Sequence, residues 1–105
     1  MRLEHYPPEK LKKEILEIVR RRLDFSDCRV FFFGSRVTGG GSDRSDIDVG
    51  IESRKPIPFD VISDIQEEID ALSTLYKIEV VDFNRVPAKF REVAEKSREF
   101  ISFSP

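Results

Sequence analysis

Leu11, Ile15, Ile18, Val19 and Leu23 recur at helical spacing with charged residues between them, which predicts an amphipathic helix over residues 9–23. Pro7-Pro8 followed by Glu9 marks its start, because a proline is tolerated in a first turn and an acid suits the positive end of the helix dipole. Arg20-Arg21-Arg22 at the far end suits the negative end and a solvated face. Val30-Phe31-Phe32-Phe33 is a short, uninterrupted apolar run that stops at Gly34, as a buried strand does. Residues 34–45 hold four of the five glycines and form a loop. Asp46-Ile47-Asp48-Val49-Gly50-Ile51 then alternates strictly, the pattern of a strand with one face in the core. Pro56 and Pro58 punctuate a connection, after which Phe59, Ile62, Ile65, Ile69 and Leu72 predict a second amphipathic helix over residues 59–74. Residues 77–83 form a third strand, residues 88–96 a helix after Pro87, and Phe100-Ile101-Ser102-Phe103 a short closing strand. This order of elements predicts an α/β or α+β fold with one sheet.

The chain has 105 residues, enough for a single domain over residues 1–105 with one modest core. Its formal net charge of -2 argues against a polybasic nucleic-acid binder, whose affinity rests on excess positive charge. A hydrophobic fraction of 39% with 9 Phe is too apolar for a disordered tail, and the Phe residues are expected in the core. Cys28 is the lone cysteine, so the chain builds no internal disulfide and no zinc ribbon. The N-terminus shows no signal-peptide pattern and no run is long enough to span a membrane, so a reducing, cytoplasmic location is expected.

The chemistry concentrates in Gly34-Ser35, ten intervening residues, and Asp46-Ile47-Asp48. On a strand, Asp46 and Asp48 emerge on one face, about 6.5–7 Å apart at Cα, while Ile47, Val49 and Ile51 face the core. Two such charges repel by roughly 2–3 kcal/mol at an effective dielectric of 20, and a divalent cation reverses the sign. Oxygen-only ligands suit Mg2+, with Mn2+ as an alternative, especially where substrate phosphates complete the shell. Gly34 lets a phosphate approach the backbone, and Ser35 offers an N–H and a hydroxyl. The residues therefore describe a two-metal phosphoryl- or nucleotidyl-transfer site.

The stretch GSRVTGGGSDRSDID resembles the nucleotidyltransferase signature of the DNA polymerase beta superfamily, in the spacing of the minimal nucleotidyltransferases (MNT), with Gly39 and Ser45 where that family also places Gly and Ser. KIEVVDFNRVPAKFREVAEKSREFISF is similar to the third strand, helix and final strand of those proteins. The resemblance implies a nucleotidyltransferase (polymerase beta palm-like) fold, a single small mixed sheet with helices packed on one face. It also implies an antitoxin that moves AMP from ATP to a tyrosine of a HEPN-domain toxin, within a hetero-oligomer and with two Mg2+ ions. Asp46 and Asp48 would be metal ligands and catalytic residues; Gly34, Ser35, Arg36 and Ser45 would hold the triphosphate. Arg44 is a weaker candidate for the same role.

One position departs from the family pattern. The third carboxylate, usually an Asp, matches Glu79, which reaches one methylene further; Asp82 is a rival. Strand parity favours Glu79, which shares a face with Lys77 and Val81, over Asp82, which shares one with the more apolar Ile78 and Val80. Neutralisation of a partner by contact alone, and nucleotidyl transfer to a small molecule, are the competing functions. Templated synthesis is not expected, because the chain lacks room for domains that grip template and primer.

Overall fold

The computed structural model describes residues 3, 5–34, 37 and 46–101. Most of the expected glycine loop, and Ser102-Phe103 of the expected closing strand, lie outside the described residues. The elements run α1 (Pro8–Arg20), β1 (Cys28–Phe33), β2 (Ile47–Ser53), α2 (Phe59–Asp70), β3 (Ile78–Asp82), α3 (Ala88–Ala94), a 3-10 turn (Glu95–Ser97) and β4 (Glu99–Ile101). Every helix and strand expected from the sequence is present. The helix ends differ: α1 stops at Arg20, where Arg22 and Leu23 N–H both return to Val19 C=O, and α2 stops at Asp70, where Leu72 N–H bonds Ile69 C=O. Both ends tighten into i→i+3 turns that keep the apolar spacing but leave the helix.

The four strands form one mixed sheet in the order β3-β2-β1-β4, with β1 antiparallel to β2 and β4, and β2 parallel to β3. The parallel pair requires a crossover, which α2 supplies. One face of the sheet carries Val30, Phe32, Ile47, Val49, Ile51, Ile78 and Val80, buried with Leu11, Ile15 and Val19 of α1 and Ile65 and Ile69 of α2 in one cluster. Glu68 of α2 ties the two helices by pairing with Arg21 at 3.3 Å and with Arg22, while Arg20 pairs with Glu17 at 2.7 Å. The arginine run thus serves ion pairs.

Among the described residues, α1 and α2 share one side of the sheet and the short α3 lies on the other. Here Phe31 and Phe33 of β1 meet Phe83 edge-to-face, at centroid distances of 4.7 and 5.0 Å, and Phe90 of α3 closes on Phe33 at 5.9 Å. Phe31 and Phe33 alternate with Val30 and Phe32, which explains the unbroken apolar run: β1 is central and buried on both sides. The expectation that the Phe residues are all core needs correcting, because Phe59 (70% exposed), Phe90 (43%) and Phe100 (46%) reach the surface. No helix among the described residues is long and apolar enough to cross a membrane.

Gly50 sits opposite Phe31 in the β1–β2 ladder, and a Cβ there would be driven into the rings of Phe31 and Phe83. Both side chains are fully buried and packed edge-to-face against each other, so neither is free to yield. Gly50→Ala is expected to cost about 1–3 kcal/mol by overpacking, read in thermal denaturation as a Tm fall of about 4–8 °C for each kcal/mol. An unchanged Tm would contradict this packing.

Candidate active site

β1 ends at Gly34, whose φ of +85° lies in the left-handed region that glycine enters without strain. Val37 N–H bonds Gly34 C=O at 3.1 Å, so the chain turns immediately beyond the strand. The space where a Gly34 Cβ would stand is occupied by the Asp48 carboxylate. A side chain at 34 would therefore both strain the backbone and displace Asp48.

Asp48 occupies the centre of the sheet end, opposite Phe33 of β1 and opposite Glu79 of the parallel strand β3. Its neighbours Ile47 and Val49 are fully buried on the far face, which anchors the strand while Asp48, half-buried, projects the other way. Burial weakens the acidity of Asp48, and the charges of Glu79 and Asp46 weaken it further. Glu79 stands opposite Asp48 in the ladder, and Asp46 lies two residues before it in the sequence.

Asp82 lies elsewhere. It is 8% exposed, on the same side of β3 as Ile78 and Val80; its Oδ1 accepts the Asn84 N–H at 2.9 Å and its Oδ2 accepts Arg85 Nε at 3.1 Å. Both oxygens serve the turn after β3. Ser35, Arg36, Arg44 and Ser45, expected around the triphosphate, lie outside the described residues.

A cleft of about 490 Å³ opens over this end of the sheet. Gly34, Asp48 and Glu79 form one end; Phe33, Val81, Phe90 and Val93 supply apolar walls. A larger cavity of about 550 Å³ lies at the other end of β1 and β2, among Cys28, Arg29, Ser53 and Arg54, away from the carboxylates. The oxygen-only donor set, one of its members already disfavoured as an anion, fits a hard divalent cation, and the missing Cβ at Gly34 lets the Asp48 carboxylate close against the turn. Among the described residues no three carboxylate, imidazole or thiolate groups converge closely enough to hold an ion alone, so nucleotide oxygens would have to complete the shell. The walls contributed by α3 escaped the sequence reading. A seven-residue helix carries too little periodicity to show which side it turns to the site.

A small mixed sheet with two carboxylates side by side beneath a glycine turn defines a phosphate-handling α/β domain. The chain belongs to the polymerase beta nucleotidyltransferase family, whose model matches residues 13–103. Over 88 residues it is 31% identical to the Haemophilus influenzae protein named "Probable protein adenylyltransferase MntA", covering 82% of this chain and 77% of that one. Its fold is similar to a chain of a toxin-antitoxin structure containing AMP-PNP, with a TM-score of 0.70 and 15% identity over 89% of this chain and 73% of the other. A chain from the tri-AMPylated Shewanella oneidensis HEPN toxin in complex with MNT antitoxin matches with a TM-score of 0.68 and 12% identity, covering 91% of this chain and 72% of that one.

The raised pKa of Asp48 fixes a pH signature. Because the folded-state value lies above that of an unfolded aspartate, the stabilising contribution is fully present below about pH 4, where the unfolded group is also protonated, and is lost as pH rises through the folded value. With divalent cations chelated, Asp48→Asn should therefore raise the Tm at pH 7, and the gain over the native chain should shrink as pH falls to about 4. Paired thermal melts across that range check it; a variant no more stable at pH 7, or one whose advantage grows in acid, would contradict the electrostatics.

Proposed function

We propose that the chain is the antitoxin of a HEPN/MNT pair and transfers AMP from ATP to a tyrosine of its HEPN-domain partner. The placement of Asp48 beside Glu79 under the Gly34 turn carries the reading, in a family member whose Haemophilus relative bears the name of a protein adenylyltransferase. Asp46, Asp48 and Glu79 are the residues that would hold Mg2+, two ions in this reading, with Mn2+ able to substitute. Divalent cations bound there supply polarisation of the α-phosphate and neutralise the charge that gathers on pyrophosphate.

The remaining work falls to the chain's own residues. Gly34 and Ser35 receive the β- and γ-phosphates on backbone N–H groups, and Arg36 and Ser45 contact the triphosphate. The tyrosine oxygen forms its bond to the α-phosphorus as the bond from that phosphorus to the β-bridging oxygen breaks, releasing pyrophosphate; the hydroxyl proton passes to a carboxylate, Glu79 if that residue is not fully engaged as a ligand. The apolar walls of Phe33 and Phe90 hold water away from the reacting phosphate, favouring the tyrosine as acceptor. No covering segment stands over the cleft among the described residues, so the partner completes the acceptor side.

Labelling with ATP carrying a radioactive α-phosphate, in Mg2+ and with the product of the neighbouring gene, tests the reading. Asp46→Asn, Asp48→Asn and Glu79→Gln should each lower AMP transfer by about 100-fold or more, the scale of losing a group that stabilises charge in transfer. Asp82→Asn should keep most of the activity while lowering the Tm, because its oxygens hold the Asn84–Arg85 turn. An active Asp46→Asn enzyme, or Asp82→Asn more damaging than Glu79→Gln, would overturn the assignment; a tight but unlabelled complex would show neutralisation by contact. With a net charge of only -2, recognition rests on local contacts, and the complex should persist on size-exclusion chromatography at moderate salt. Elution of the chain alone as a 12.2 kDa monomer at low and moderate salt would remove the partner.

A further inference from the structure

β3 is an edge strand among the described residues: β2 pairs with one side of it and no described strand pairs with the other. On that open side the side-chain amide of Gln66, from α2, takes the place of a strand. Its Nε2 donates to Ile78 C=O at 2.8 Å, and its Oε1 accepts Val80 N–H at 2.8 Å. One planar amide thus bonds the carbonyl before Glu79 and the N–H after it, the pattern by which a residue of a parallel strand pairs around its opposite number. The second Nε2 hydrogen goes to Asp70 Oδ1 at 2.9 Å, so the donor end is held by two acceptors and the amide has one consistent orientation. Gln66 is the only glutamine in the chain. It saturates the two outward backbone groups that flank Glu79.

We infer that Gln66 is a positioning residue for Glu79: it clamps the β3 backbone on both sides of that residue, and so fixes the carboxylate beside Asp48. The inference rests on the proposed role of Glu79. Glu79 has a longer side chain than Asp48 and is exposed, and among the described residues no hydrogen bond holds its carboxylate; its position therefore depends on its backbone. β2 constrains that backbone from one side through the Asp48–Glu79 register, and Gln66 from the other. Methionine at 66 keeps the length and volume of the side chain and removes both hydrogen bonds. Groups that orient metal ligands from behind typically contribute about 10- to 100-fold in metal affinity.

The test is a double-mutant cycle on Mn2+ binding, measured by calorimetric titration of the full chain in the presence of AMP-PNP, with the native protein, Gln66→Met, Glu79→Gln and the double variant. Gln66→Met should weaken Mn2+ binding about tenfold in the native background and leave it nearly unchanged once Glu79 is Gln. In the same variant, without metal, the Val80 amide should exchange with solvent faster than in the native chain. An equal loss in both backgrounds would show a general packing effect and overturn the inference, as would native-like Mn2+ affinity or native-like Val80 exchange. If Glu79→Gln alone leaves Mn2+ binding intact, it is the assignment of Glu79 as a ligand that fails, and the role of Gln66 falls with it. Should Gln66→Met not fold, Gln66→Leu, which likewise removes both hydrogen bonds, takes its place in the cycle with the same expectations.

Discussion

The parallel pairing of β2 with β3, in the register that sets Asp48 opposite Glu79, is the constraint on which the site depends. A slip of one residue would turn Glu79 toward the core under α1 and α2 and bring an apolar neighbour into the cleft. The far face prevents that slip, because Ile47, Val49, Ile78 and Val80 are locked into one buried cluster. Core packing on one side of the sheet thus holds like charges together on the other. The weakened acidity of Asp48 is the local cost of this arrangement, and in the proposed role a cation bound there would convert that cost into affinity.

The cleft face is built differently from the core face. Its floor is an aromatic layer of Phe31, Phe33 and Phe83, which the bare backbone of Gly50 allows to lie close against the sheet. Glu52 then gathers three arginines from different elements: Arg29 on β1, Arg91 on α3 at 3.7 Å and Arg98 before β4 at 3.6 Å. Arg91 also donates to Phe83 C=O, and the Arg98 guanidinium stacks 5.0 Å from the rings of Phe31 and Phe100. A carboxylate shared among three cations and largely screened from solvent fastens α3 and β4 to the sheet, and α3 carries the Phe90 and Val93 wall of the cleft. The polar cavity at the far end of β1 and β2 is lined by Glu52, Arg29 and Arg91 of this cluster.

What could be read from the chain before its structure was local. The alternation around Asp46 and Asp48 showed both carboxylates leaving the core, and parity along residues 77–83 separated Glu79 from Asp82, because each judgement needs only the two-residue period of one strand. The pairing of Asp48 with Glu79 needed more: which strands are neighbours, in which direction, and in what register, all decided by packing between residues thirty apart. Gly50 stood in the strand alternation with no sign that Phe31 lies opposite it. Gln66 was not singled out, since nothing in a helical repeat reveals that its amide meets the open edge of a strand. The helix termini were misread for a related reason: Leu23 and Leu72 keep the apolar spacing while the backbone has already tightened into a turn.

The central claim is that Asp46, Asp48 and Glu79 form one cation site at the end of the sheet. Crystals of the chain grown with Mn2+ and AMP-PNP, with anomalous scattering recorded at the manganese edge, test it most directly. The account predicts a peak with carboxylate oxygens of all three residues within coordination distance, about 2.0–2.3 Å, and nucleotide oxygens completing the shell. Manganese bound at Asp82, or beside the strand aspartates with Glu79 turned away, would contradict it.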